Sequence, residues 1–458
     1  DKTVFEVLRE KHPEPKVLDE DAFVECDELP VIVDVDISAN LIEKIARKIQ
    51  GSGGPSGTDS DQWRNLLLRY GAHSKRLREA VAASVRRHAN EIVEWDDMRA
   101  LLARRGVALD KSPGIRPVGI SEMRQRIEAK AMVMETGIDL QETVGSDNLC
   151  AGLKAGIEGG VHSMRNLWKS DEVEGELLGD GGNAFNAMYR EAALWNARVL
   201  WPRCSRFLFN TYKGYPQIFL RGCDEVLLSK EGTTQGDPLG MDMYAVGNLP
   251  LVWRLKDPKK WIQSWYADDC GAAGKLKRLR EWFDLLCHWG PKYGYYPESS
   301  KCILIVKEGL EDKAKEIFGD TGVKIVNGSK YLGGCIGEKE LVQNFVKEKV
   351  EKWVESIHNL TRAAHKYPQA VYSCFTKSLQ CEWIYVQRVL PGFDELYRDL
   401  NTSIQKVLIP AIFGREVLQR EYELLELPAV ILGGMALRDP VKLASVNFKN
   451  SSQATALM

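Results

Sequence analysis

The 458-residue chain contains no uninterrupted apolar run approaching the ~18–20 residues that cross a bilayer, which excludes an integral membrane protein. It has no CxxC pair, and none of its ten cysteines joins a histidine at zinc-ligand spacing. Cysteines this scattered in a chain this long read as buried thiols of a reduced, intracellular protein, not as a disulfide framework. The first fifteen residues carry no apolar stretch of a secretory leader, so no signal peptide is expected. The chain does not start with Met, and a fragment of a longer product is expected. Net charge is nearly missing too: 62 Lys and Arg face 64 Asp and Glu, a balance of −2. Bulk charge therefore gives no sign of a polyanionic partner. Neither a GxSxG elbow nor a Ser-His-Asp arrangement is present, and His162 and His358 read as structural. No internal repeat or low-complexity tract is seen.

What is present is a globular composition, 44% apolar and 28% charged, in a length that suggests roughly two to four structural units. The balanced charge hides an asymmetry. Residues 1–60 hold 7 Lys or Arg against 14 Asp or Glu, whereas residues 74–130 hold 13 against 8. An acidic start followed by a basic stretch can mark a surface that faces a polyanion. Asp34 and Asp36 in VIVDVD read as an ordinary acidic strand. Residues 51–57, GSGGPSG, read as a flexible joint; they lack the G-K-[ST] ending of a phosphate loop. From 61 to 105 apolar residues recur at helical spacing, and residues 106–121 follow as a hairpin with Ser112-Pro113-Gly114 at its turn. Residues 171–340 alternate strands and helices: GELLGD as a strand, 184–200 as a helix, 261–274 as strand, turn and strand, 276–294 as an amphipathic helix, SKCILIVK as a strand. From 339 to about 425 the pattern is mostly helical. The mixture predicts an α+β fold.

The strongest chemical signal is Tyr266-Ala267-Asp268-Asp269, two adjacent carboxylates between an aromatic strand and a run of small residues. Neighbouring acids in a tight turn repel unless a cation neutralises them. A hard divalent cation such as Mg²⁺ takes oxygen ligands, few of them from protein. Asp180 ends another apolar strand, with Phe185 five positions on, and Gln235-Gly236-Asp237-Pro238-Leu239 forms a Gly/Pro turn ahead of a helix.

An Asp with an aromatic five residues later, then QGxPL, then YxDD, in this order, resembles the reverse transcriptases. Lys111 through Arg116 to Ile120 resembles the fingers hairpin of the group II intron and non-LTR retrotransposon enzymes. Lys301 sits where that family has a Lys-bearing strand, Tyr331-Leu332-Gly333 resembles its primer-grip turn, and Leu427-Pro428, Gly433-Gly434 and Asp439-Pro440 resemble the segment beyond its thumb. The resemblance runs from about residue 60 to the end and is strongest over 107–340.

The resemblance implies an α+β right-hand polymerase with fingers, a palm of antiparallel sheet with helices, and a helical thumb. It would comprise an acidic extension and linker (1–60), fingers (61–170), a palm (171–340, with a fingers insertion at about 196–235), a thumb (341–425) and a C-terminal extension (426–458). The implied activity is RNA-directed DNA synthesis by a retrotransposon-like element, adding dNTPs to a primer on an RNA or DNA template. Asp180, Asp268 and Asp269 would be the catalytic, metal-binding acids for two Mg²⁺ ions (or Mn²⁺), about 3.5–4 Å apart. Lys111, Arg116, Phe185, Gln235 and Gly236 would bind the dNTP, with Phe185 excluding a 2′-hydroxyl. Tyr266, Tyr331, Leu332 and Gly333 would contact primer and template, and Lys301 would donate a proton to pyrophosphate or support charge. Basic residues of 74–130, and of KEKVEKW with Arg362, His365 and Lys366, would line the template–primer groove. Two alternatives stay open: an RNA-templated RNA polymerase, and a catalytically degenerate nucleic-acid-binding remnant. Gly181-Gly182 departs from the family, and two glycines there are expected to loosen the turn that presents Asp180. No membrane partner is expected; the oligomeric state is open.

Overall fold

Eleven strands form among the described residues, most of them short runs of β-branched and apolar residues bounded by glycine or polar turns. They are β1 (Arg104–Asp110), β2 (Ile115–Ser121), β3 (Gly175–Gly179), β4 (Gln217–Leu220), β5 (Val226–Leu228), β6 (Trp261–Tyr266), β7 (Asp269–Gly274), β8 (Ile303–Val306), β9 (Lys324–Val326), β10 (Gly328–Tyr331) and β11 (Gly334–Gly337). The structure is a computed structural model and describes residues 2–111 and 114–457. Ser112 and Pro113 of the expected hairpin turn lie outside the described residues. The chain divides into two units, and the division passes through β3 and β7.

The first unit comprises residues 1–154, 179–271 and 280–302. Its sheet has the order β2-β1-β4-β5. β1 and β2 pair antiparallel from Arg104 opposite Ser121 to Asp110 opposite Ile115, and β1 runs parallel to β4. The helices Ala39–Lys48, Gly71–Asn90 and Met123–Val144 pack on one another. The helix Val4–Glu10 starts at a Thr3–Glu6 capping box and buries Leu8 with Ile218 and Leu227 of the sheet. The acidic segment after it packs as well. Trp195 donates its indole N–H to the Val24 carbonyl at 2.9 Å, and Asp21 pairs with Arg254 at 3.1 Å.

The second unit comprises residues 155–178, 272–279 and 303–458. Its sheet runs β7-β3-β8-β9, with β3 antiparallel to β8 and β8 parallel to β9. A separate β10–β11 hairpin follows. The helix Lys339–Thr361 buries Val342, Phe345, Val346, Val350, Trp353 and Ile357, spaced to keep one face apolar. Trp353 meets Trp383 edge to face at 6.0 Å within a core that includes Phe375, Tyr397 and Leu400. The protein is thus a mixed α+β fold with antiparallel-rich sheets. Among the described residues no helix is long and apolar enough to cross a membrane.

Several local expectations give way to tertiary contacts. VIVDVD is not a strand. Among the described residues it pairs with no strand; instead the Asn90 side chain clasps it, accepting from Val35 N at 2.8 Å and donating to Val35 O at 2.9 Å. Residues 51–57 are not a free joint: Arg126 donates to Gln50 O (2.7 Å) and Ser52 O (3.1 Å), and Ser56 N donates to Glu122 at 2.7 Å. A Cβ on Gly54 would stand 2.7 Å from the Glu122 nitrogen, so glycine there serves close approach. The expected helix 184–200 breaks after Ala187 and restarts at Arg190, whose guanidinium is buried among the Ser229, Glu231 and Gly232 carbonyls.

Candidate active site

Asp180 stands one residue past β3, and Asp268 lies in the two-residue turn between β6 and β7, which Asp269 begins. Ala267 opens that turn at φ 53°, a left-handed conformation that suits a tight hairpin but strains a residue with a Cβ. The buried Asn148 side chain holds it there, accepting from Ala267 N at 2.9 Å and donating to Ala267 O at 3.4 Å. The Tyr295 hydroxyl donates to the Asp268 carbonyl at 2.9 Å. These contacts engage the turn's main chain and leave the Asp268 carboxylate to face a cavity of about 450 Å³.

Asp180 lines the same cavity, together with Lys111, Arg116, Phe185, Gln235, Gly236 and Lys301. Burial raises the Asp268 carboxyl above its ordinary value; the Asp180 charge adds to the rise, and Lys111 and Arg116 oppose it. Asp269 reaches solvent at the start of β7, yet burial and then the charges of Asp268 and Asp180 push it up to about 6. Both members of the doublet therefore feel the acid from the other strand. Among the described residues no three of His, Cys, Asp and Glu are gathered closely enough to hold a metal ion. The donor chemistry is nevertheless of the kind Mg²⁺ takes: carboxylates whose mutual repulsion a cation would relieve, with water and phosphate left to complete its shell.

The glycine pair does not loosen the turn after Asp180. Gly182 N donates to Tyr296 O at 2.8 Å, and Glu298 N donates to Asp180 O at 2.9 Å. A Cβ on Gly181 would stand 2.7 Å from the Tyr295 ring, and one on Gly182 would stand 2.6 Å from the Glu298 carboxylate. The two glycines let residues 295–298 close against the chain and tie it down.

Lys301 belongs to the 3₁₀ turn Ser299–Lys301 and not to the strand that follows. Its Nζ lies 3.7 Å from Asp180 Oδ2 and also pairs with Glu298. The Glu298 contact first, and the Asp180 charge after it, hold its proton more tightly than usual. Phe185 sits in the short helix Ala184–Ala187 and stacks on Tyr244, with ring centroids 4.6 Å apart and planes at 29°. Gly236 has φ 104°, and a Cβ there would stand 2.7 Å from Gly119 O, while Gly119 N donates to Gln235 O at 2.8 Å. The turn is thus moulded on β2. Asp237 forms a wholly buried ion pair with Arg104 of β1, and its Oδ1 accepts from Leu239 N at 2.9 Å. Burial, reinforced by the Asp237 charge, pushes the neighbouring Asp242 up to about 7.

Tyr266 is half-buried at the end of β6. Tyr331, Leu332 and Gly333 fall in the second unit. There Leu332 and Gly333 make the β10–β11 turn at φ 46° and 79°, with the Tyr385 hydroxyl donating to Leu332 O. Leu427 O would be 2.1 Å from a Cβ on Gly434, and Asp439 caps the last helix through Val441 N and Lys442 N. That segment's motif residues therefore have structural work of their own. Lys11, Asn148, Glu298 and Asp237 complete the site without having been singled out from sequence; only Asp237, inside the QGxPL turn, sat in a visible motif.

No family model and no curated protein matches the chain. Among solved structures it is similar to apo telomerase from Candida tropicalis (10% identity, TM-score 0.44, covering 78% of this chain and 66% of that one). It is also similar to telomerase from Candida albicans in complex with a fragment of telomeric RNA (9%, 0.47, 82% and 65%). A C-terminally truncated apo form of the Candida tropicalis protein aligns over 52% of this chain and 54% of that one, at 11% identity and a TM-score of 0.39. The chain thus spans between about half and two thirds of these structures.

Proposed function

We propose that the chain is an RNA-directed DNA polymerase of a retrotransposon-like element, adding dNTPs to a primer on an RNA or DNA template. The observation that carries this is the meeting of Asp180 and Asp268, from separate strands, in one cavity with Lys111, Arg116, Phe185 and the Gln235-Gly236 turn. In this reading the β1–β2 hairpin belongs to the fingers, β3 and the β6–β7 hairpin to the palm, and the helices after residue 340 to the thumb.

Asp180, Asp268 and Asp269 would hold two Mg²⁺ ions, which would supply activation of the primer 3′-oxygen and neutralisation of triphosphate charge. The chain's own groups do the rest. The Arg116 fork grips phosphate oxygens in pairs, and Lys111 adds a point charge. Both cations also counter the acids' repulsion, since they oppose the upward shift of Asp268. Phe185, braced on Tyr244, sets a ring where a 2′-hydroxyl would otherwise fit. Gly236 lets main chain approach the nucleotide closely. Lys301, with its proton held tightly, supports charge better than it donates an acid proton.

Primer extension by the full chain on a defined RNA template, with dNTPs and rNTPs in parallel, tests the reading. Extension with dNTPs alone is expected. Preferential use of rNTPs would sink it, as would no extension at all with Mg²⁺ or Mn²⁺. Phe185→Ala should then admit rNTPs; unchanged sugar selectivity would place the selecting group elsewhere.

A further inference from the structure

Lys11 lies among the residues that line the catalytic cavity, although it comes from a segment far from every recognised motif. The segment is anchored on both sides. Before it, Leu8 is buried with Ile218 and Leu227. After it, Glu14 pairs with Lys230 at 2.6 Å, and the Lys16 ammonium lies 2.7 Å from the Tyr296 hydroxyl and 4.5 Å from that ring's centroid. Between these anchors the Lys11 carbonyl accepts a hydrogen bond from Asn183 Nδ2 at 2.9 Å.

Asn183 stands three residues past Asp180 in a left-handed conformation, φ 54°. Asparagine tolerates this better than most residues. Its side-chain oxygen accepts from Asn186 Nδ2 at 3.1 Å, so its amide is held from both ends. The turn that presents the first acid therefore also fixes the main chain of Lys11. Among the described residues Lys11 has no ion-pair partner, whereas Lys301 in the same cavity is engaged by Glu298 and Asp180. A half-buried lysine without an ion-pair partner, lining a cavity with Lys111 and Arg116, is suited to an anion of several charges.

We infer that Lys11 is a ligand of the incoming nucleotide's polyphosphate tail, delivered by an N-terminal strap. The inference rests on the polymerase reading and adds to it a residue from outside the matched motifs. A charge-assisted contact of this kind is worth about tenfold in affinity.

The probe is inorganic tripolyphosphate, titrated by calorimetry into wild type, Lys11→Gln and Lys11→Arg, alongside steady-state dNTP incorporation. Lys11→Gln should weaken tripolyphosphate binding about tenfold and raise the dNTP KM by a similar factor, with kcat little changed, and Lys11→Arg should restore both. Unchanged tripolyphosphate affinity in Lys11→Gln overturns the inference. Should that variant melt early, amine acetylation of the wild type decides. Protection of Lys11 by tripolyphosphate supports the contact; equal modification with and without it overturns it. A wild type that protects Lys11 yet extends no primer counts against the polymerase reading alone. One that extends primers while Lys11 stays unprotected counts against the inference alone.

Discussion

Two hairpins of this chain enter their turns through a left-handed residue and end up as different objects. In β6–β7 the turn is Ala267-Asp268, and in β10–β11 it is Leu332-Gly333; each enters the left-handed region and each is held by a side chain from elsewhere. Asn148 grips the first through both the N–H and the C=O of Ala267, while Tyr385 grips the second through the Leu332 carbonyl. The difference lies in what the second loop residue offers. Asp268 sends a carboxylate into a cavity; at Gly333 a Cβ would stand 3.0 Å from the Tyr385 ring. One turn is fixed so that charge can be exposed, the other so that two surfaces can touch. The left-handed entry they share does not tell them apart; the second turn residue does, left-handed at Gly333 and not at Asp268.

The comparison breaks most sharply at Asp268→Asn. Nucleotide incorporation should fall by at least about a hundredfold, since a positioned charge in the reacting cavity is removed. Thermal melting should not drop, because a repulsive neighbour of Asp180 and Asp269 is gone; activity close to wild type would refute the site. Asn148→Ala comes next. It removes two hydrogen bonds to a strained, buried turn and should cost about 1–3 kcal/mol, read by chemical denaturation. Gly333→Ala forces a Cβ onto φ 79° and should cost about 1–2 kcal/mol. A loss much below that would mean the turn re-forms without the left-handed residue.

The smallest effect sharpens the comparison through pH. Asp269 is pushed up to about 6 by burial and by its acidic neighbours, against an ordinary value of 3.8. Its native state thus holds the proton more tightly than the unfolded chain does. The native state is therefore favoured at low pH, and this advantage is lost as pH rises from about 4 to about 6. Melting temperatures across that window should show the slope, Asp269→Asn should flatten it, and Mg²⁺ at neutral pH should offset it. Leu332 and Gly333 carry no titratable group, so their turn should add nothing to the slope.

Legibility from sequence followed locality. The YADD hairpin could be read because an aromatic strand, two acids and a run of small residues lie side by side, and its strands are where the pattern put them. Asp180 at a strand end and the Gly236 turn were equally local. Lys11 was not legible: a lysine in KHPEPK has no signature, and only the packing of Leu8 and the Asn183 contact bring it to the cavity. VIVDVD alternates like a strand, but a strand needs a neighbour, and Asn90 supplies only one clasp. The glycines after Asp180 suggested slack because composition cannot show what presses against them; Tyr295 and Glu298 do. Lys301 missed its strand by one short turn, which the Glu298 carbonyl draws in through the amides of Lys301 and Cys302.

Arg104 sits on β1, its buried partner Asp237 opens the helix Gly240–Arg254, and that helix carries Tyr244 against Phe185. If Phe185 selects the sugar as proposed, that selection would lean on an ion pair anchored in the β1–β2 sheet. On that proposal, loss of Arg104 should surface as ribonucleotides built into product before it surfaces as slow synthesis.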